Sequence, residues 1–70
     1  MKVLRVHVAK ALKIGKGEPK VGLDCARDGV AVTVRGDWVI ITETQGTRAV
    51  MLHGSQVDRL DIDHAEALKP

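Results

Sequence analysis

The chain has 70 residues, enough for one small domain that hides only a little over ~60% of its unfolded surface, and its single Cys excludes an internal disulfide framework or a four-cysteine zinc site. Its net charge of +2 selects no class of partner, and its apolar volume is aliphatic, with one Trp and no Phe or Tyr. No apolar run approaches the ~20 residues of a membrane helix, and no signal-peptide pattern opens the chain, so a cytoplasmic protein is expected.

The first run, residues 2–14, supports two periods. Leu4, Val6 and Val8 alternate with Arg5 and His7 as a half-buried strand would, while Leu4, Val8, Ala11 and Leu12 also fit a helical face. The β-branched density of residues 3–8 favours strand there, and residues 9–14 either continue it or bend away. The following GKGEPK is a loop by its chemistry, and KVGLDCA is a short, weak strand interrupted by Gly22 and closed by RDG.

Residues 30–52 read as a three-stranded meander with tight turns at Gly36-Asp37, which suits type II′, and Gln45-Gly46, which suits type I′ or a related turn. Two-residue loops fix the register: Val34 opposite Val39, Val32 opposite Ile41, Ile41 opposite Val50, Ile40 opposite Met51, and Glu43 opposite Arg48 as a cross-strand charge pair. One face then holds Val32, Val34, Val39, Ile41, Val50 and Leu52. The other holds Ala31, Thr33, Arg35, Trp38, Ile40, Thr42, Ala49, Met51 and His53, too apolar for an ordinary solvated surface. Either face can serve as core.

The segment from His53 to Asp63 breaks this rhythm, because Val57 and Leu60 stand three apart and Leu60 and Ile62 two apart. One helical turn capped by Ser55, with Val57 and Leu60 inward, carries the chain back to a last strand whose Asp61 and Asp63 face out. This arrangement of elements over residues 2–63 is similar to the layout of SH3-like small β-barrels. The resemblance implies a mainly β, five-stranded antiparallel barrel with a one-turn helix before the last strand, a single domain over 1–63 and a short tail over 64–70. Proline-rich peptide binding is not implied, because no exposed aromatic cluster accompanies Trp38.

No spacing of His7, His53, His64 and Cys25 matches a metal signature, so neither metal nor cofactor is expected. Cys25 reads as a buried, inert thiol, and GKGEPK lacks the spacing of a phosphate loop. A chain this short offers little room for the ~300 Å³ pocket of a small-molecule site, which argues against an enzyme. The composition of Arg35, Trp38, Ile40, Met51 and His53 instead suits a protein interface, most simply with another copy of the chain. The alternative is nucleic-acid binding through Lys2, Arg5, Lys10, Lys13, Lys16 and Lys20, which face only Glu18 within the first twenty residues. That basic head can equally attract the acidic stretch Asp58, Asp61, Asp63 and Glu66.

Overall fold

The computed structural model describes residues 2–63, so the tail expected at 64–70 lies outside the described residues. Six strands follow in order: β1 (Val3–Leu12), β2 (Lys20–Asp24), β3 (Val30–Arg35), β4 (Trp38–Glu43), β5 (Ala49–His53) and β6 (Val57–Ile62). A short helix, α1 (Cys25–Asp28), joins β2 to β3, and a 3-10 turn (Gly54–Gln56) joins β5 to β6. The strands form two antiparallel sheets, β2-β1-β6 and β3-β4-β5, hereafter the first and second sheets.

The fold is therefore mainly β, with six strands in place of the expected five and two sheets in place of a closed barrel. The short strand expected at KVGLDCA is present over Lys20–Asp24 and pairs with β1, so that Arg5 lies opposite Asp24, Val6 opposite Leu23 and His7 opposite Gly22. In its first half β1 is thus hydrogen-bonded along both edges, to β2 and to β6. Closing a barrel would require its second half to run beside β5. Instead Val8–Leu12, Leu52, Ser55 and Gln56 line a cleft of about 190 Å³.

One core serves both sheets. Val6, Val8 and Leu23 come from the first, Val30, Val39 and Ile41 from the second, and Ile14 from the loop after β1. Ile41 and Val6 are completely buried, and Val32, Val50 and Leu52 pack against the same cluster. The aliphatic face of the meander is therefore the core face.

Two bulges explain the irregular apolar spacings. Val3 pairs with Ile62 but Arg5 pairs with Asp61, so Leu4 is an extra residue on β1. The bulge turns Val3 inward and leaves Leu4 at 41% exposure, against the expectation that Leu4 points into the core. On β6, His7 pairs with Arg59 and Val8 with Val57, which makes Asp58 the extra residue. Val57 and Leu60 do both face the core, but a bulge sets their three-residue spacing, and the helical turn has already ended at Gln56.

The meander register agrees with the sequence reading at each pair from Val32–Ile41 to Arg35–Trp38 and from Val39–Leu52 to Thr42–Ala49, and it continues to Trp38–His53. Gly36 has φ 59° and, among the described residues, no non-Gly residue has positive φ, as a type II′ turn requires. The second turn differs from expectation. Gly46 has no positive φ, residues 44–47 make a longer bend, and the Glu43 carboxylate does not reach the Arg48 guanidinium. Its oxygens accept from the backbone N–H groups of Arg48, at 3.2 Å, and Gly15, at 3.0 Å. Gly46 leaves room for this, since a Cβ there would collide with the folded-back Glu43 side chain.

The helix α1 had only a faint signature, Asp24 before it and Gly29 after it. Asp24 accepts from the Arg27 N–H at 3.0 Å, and the Asp28 carboxylate accepts from the Asp24 N–H at 2.8 Å and from Lys20 Nζ at 2.7 Å. Asp28 is thus a buried charge that fastens α1 to both ends of β2.

Candidate interaction surface

The outer face of the second sheet follows directly from its register. Arg35, Trp38 and His53 form one row across the strands, Thr33, Ile40 and Met51 the next, and Ala31, Thr42 and Ala49 the third. All five residues expected at an interface, Arg35, Trp38, Ile40, Met51 and His53, share this face. Trp38 is 45% and Met51 59% exposed, Ile40 is partly buried between them, and Arg35 is the single cation. No carboxylate stands in these rows.

The position of Trp38 is set by a chain of contacts. Its ring meets the His53 ring edge-on, with centroids 5.3 Å apart and planes at 90°. His53, and not Ser55, caps the 3-10 turn: its Nδ1 accepts from the Ser55 N–H at 3.2 Å, while Gln56 Oε1 accepts from the His53 N–H at 3.1 Å. An imidazole serves because β5 ends with its side chain beside the turn, and Ser55 Oγ lies 2.9 Å from the same nitrogen. The indole is thus braced against a capped turn, which limits what it loses in freedom when a partner covers it.

The basic residues of the N-terminal segment do not come together. Arg5 pairs with Asp24 at 3.1 Å and Lys20 with Asp28 at 2.7 Å, so two of the six are already neutralised. Lys2 stands at the start of β1 and Lys10 near its far end, roughly 26 Å away at strand rise. Lys13 and Lys16 are exposed in the loop that follows. The acidic stretch does lie beside the basic head, since β6 pairs with β1, but Asp61 bonds Arg59 at 3.0 Å and His7 at 3.3 Å and no lysine.

A groove of about 680 Å³ opens at the head of β1 and β3, lined by Lys2, Val3, Leu4, Arg5, Asp24, Cys25, Ala26, Val30 and Asp61. It is larger than the ~300 Å³ for which the sequence suggested little room. Two of its side chains, Asp24 and Cys25, are shifted in opposite directions. The Arg27 N–H and then the Arg5 guanidinium hold the Asp24 carboxyl below its usual range. Burial, followed by the charges of Asp24 and Asp28, pushes the Cys25 thiol up. Among the described residues no three His, Cys, Asp or Glu side chains cluster as metal ligands, and no helix is long and apolar enough to cross a membrane.

No protein-family model matches the chain, and no curated protein or solved structure is significantly similar to it. Function must therefore be argued from these surfaces.

Proposed function

We propose that this protein is a non-enzymatic interaction or self-assembly module whose contact surface is the outer face of the second sheet around Trp38. The observation that carries the reading is a three-row sheet face with an exposed Trp and Met, one cation and no carboxylate. Such a face costs little to desolvate and offers the aromatic, Met and Arg side chains enriched at interfaces. The nucleic-acid alternative retains the exposed Lys2, Lys10, Lys13 and Lys16, but Arg5 and Lys20 are engaged elsewhere and no stacking platform accompanies the lysines.

Trp38→Ala tests the reading. Light scattering across a concentration series and the emission of the single Trp together report whether the face is covered. The expected result is a concentration-dependent blue shift of Trp38 in the wild type, with loss of that association in the variant and less than about 1 kcal/mol change in stability. A Trp38 emission that stays solvent-exposed at all concentrations and with candidate partner proteins would remove the proposal, and tight, salt-sensitive DNA binding would replace it.

A further inference from the structure

The second sheet also has an unfinished edge. Arg35 and Trp38 flank a two-residue turn and so form a hydrogen-bonded pair, and ladder alternation then directs the backbone groups of Arg35, Thr33 and Ala31 toward β4. The bond from the Glu43 N–H to the Arg48 carbonyl, at 3.1 Å, fits this phase, since it turns the odd-numbered β4 residues toward β5. The N–H and C=O groups of Val32 and Val34 therefore point away from the sheet, where no described strand pairs with them.

Two of the other edges, β6 and β2, are guarded, whereas at β5 one outward N–H, that of His53, is taken by Gln56 Oε1 and Ala49–Leu52 is as uncharged as Val30–Val34. Along β6 run Asp58, Arg59 and Asp61, with the bulge at Asp58, and β2 begins and ends in the ion-paired Lys20 and Asp24. By contrast Val30–Val34 has no charge, no Pro and no bulge, the devices that normally stop edge pairing.

We propose that β3 pairs antiparallel with β3 of a second copy, about a two-fold axis at Thr33. Val32 then lies opposite Val34 of the other copy, and Arg35 opposite Ala31. The two Arg35 charges end about 14 Å apart, beyond the ~8 Å screening length at physiological salt. This pairing carries the second copy's Gly36-Asp37 turn to the head of β3, beside the groove lined by Val30 and Lys2. Among the described residues Lys2 has no carboxylate and Asp37 no cation within ion-pair distance, whereas the other rim charges, Arg5, Asp24 and Asp61, are already paired. Two symmetric Lys2–Asp37 contacts complete the match. The occupant is thus a second copy: the edge is complementary to itself in hydrogen bonding and in charge. The inference deepens the self-assembly reading but uses a different surface, since the Trp38 face remains open and doubles in width.

The interface is smaller than the ~800 Å² per partner of a standard complex, so a micromolar dimer is expected. Sedimentation velocity on the full chain, from low micromolar to millimolar protein, measures it. Val34→Pro removes one outward N–H without touching a β3–β4 hydrogen bond and weakens the dimer at least about tenfold. Asp37→Lys weakens it, and adding Lys2→Asp to that variant restores it. Should Val34→Pro fail to fold by circular dichroism, the Asp37→Lys loss and its rescue by Lys2→Asp, at positions outside the rows of the Trp38 face, carry the test. Trp38→Ala leaves this dimer intact. A wild type monomeric throughout, or variants that dimerise as wild type does, overturns the proposal. Dimers that dissociate with Trp38→Ala but not with Val34→Pro overturn the edge and leave the face.

Discussion

On the outer face of the first sheet, the charged side chains of the three strands answer one another: Arg5 meets Asp24, Arg59 meets Asp61, and His7 lies between Arg59 and Asp61. On the outer face of the second, three rows of side chains contain one charge, and the largest members, Trp38 and Met51, stand about half exposed. The two sheets share a core, so the difference is not one of stability but of what each outer surface is prepared to meet. The first needs only water, and its charges already satisfy each other. The second has little to lose by leaving water, which is why interaction is proposed for it.

The sharpest way to break this comparison is to show that the sheets are separate bodies. Ile41 is fully buried in a cluster with Val6 and Val8 of the opposite sheet. Ile41→Ala should cost about 3 kcal/mol and lower both sheets together, so that far-UV dichroism and Trp38 fluorescence fall in one transition. Two separated transitions would mean that each sheet holds itself up.

A smaller effect belongs to the junction between them. The Lys20 ammonium, hydrogen-bonded to Asp28, lowers the Asp28 pKa below 3.8, against the upward push of burial and with help from the Asp24 N–H. A carboxyl with a lower pKa folded than unfolded stabilises the fold fully above the unfolded value, and that contribution fades as pH falls through the folded value. Asp28→Asn should therefore cost about 2 kcal/mol at neutral pH, less than the ~3–5 kcal/mol of a fully enclosed pair because Lys20 remains partly in water. Denaturant titrations of both proteins should converge as pH drops below about 4. Curves that stay parallel into acid would assign Asp28 a role independent of its charge.

How much of this was readable beforehand depended on whether a residue's neighbour was close in sequence. The meander register followed from Gly36-Asp37 and alternating Val and Ile, since a short turn leaves the strands no choice. The second turn kept that register but not its expected form, because Glu43 turned back to serve the N–H of Gly15, twenty-eight positions away. The spacing of Val57 and Leu60 fits a helical turn and a bulged strand equally well. Only the pairing with His7 and Val8 decides between them. Barrel closure failed for the same reason: KVGLD was legible as a short strand, but its pairing with β1, which helps divide the strands into two sheets, depends on a distant neighbour. The five residues of the Trp38 face were legible as a set, because alternation places them together, but which face looked outward required the opposing sheet. The open edge of β3 was missed, although its signal, five uncharged residues before Arg35, is in the sequence.

The smallest expected effect lies on the first sheet and tests the other half of the comparison. Arg59 and Asp61 meet at 3.0 Å with their side chains 64% and 35% exposed. Exposed pairs of this kind contribute less than about 1 kcal/mol, so Arg59→Ala should shift stability by no more than about 0.5 kcal/mol. Asp61 would still have His7 within reach at 3.3 Å, and no apolar surface would be uncovered beyond a methyl group. Association measured by light scattering should be unchanged, since the face remains polar. If instead Arg59→Ala altered self-association as strongly as Trp38→Ala, the charged lattice would itself be a contact surface, and the division of labour between the two sheets would have to be abandoned.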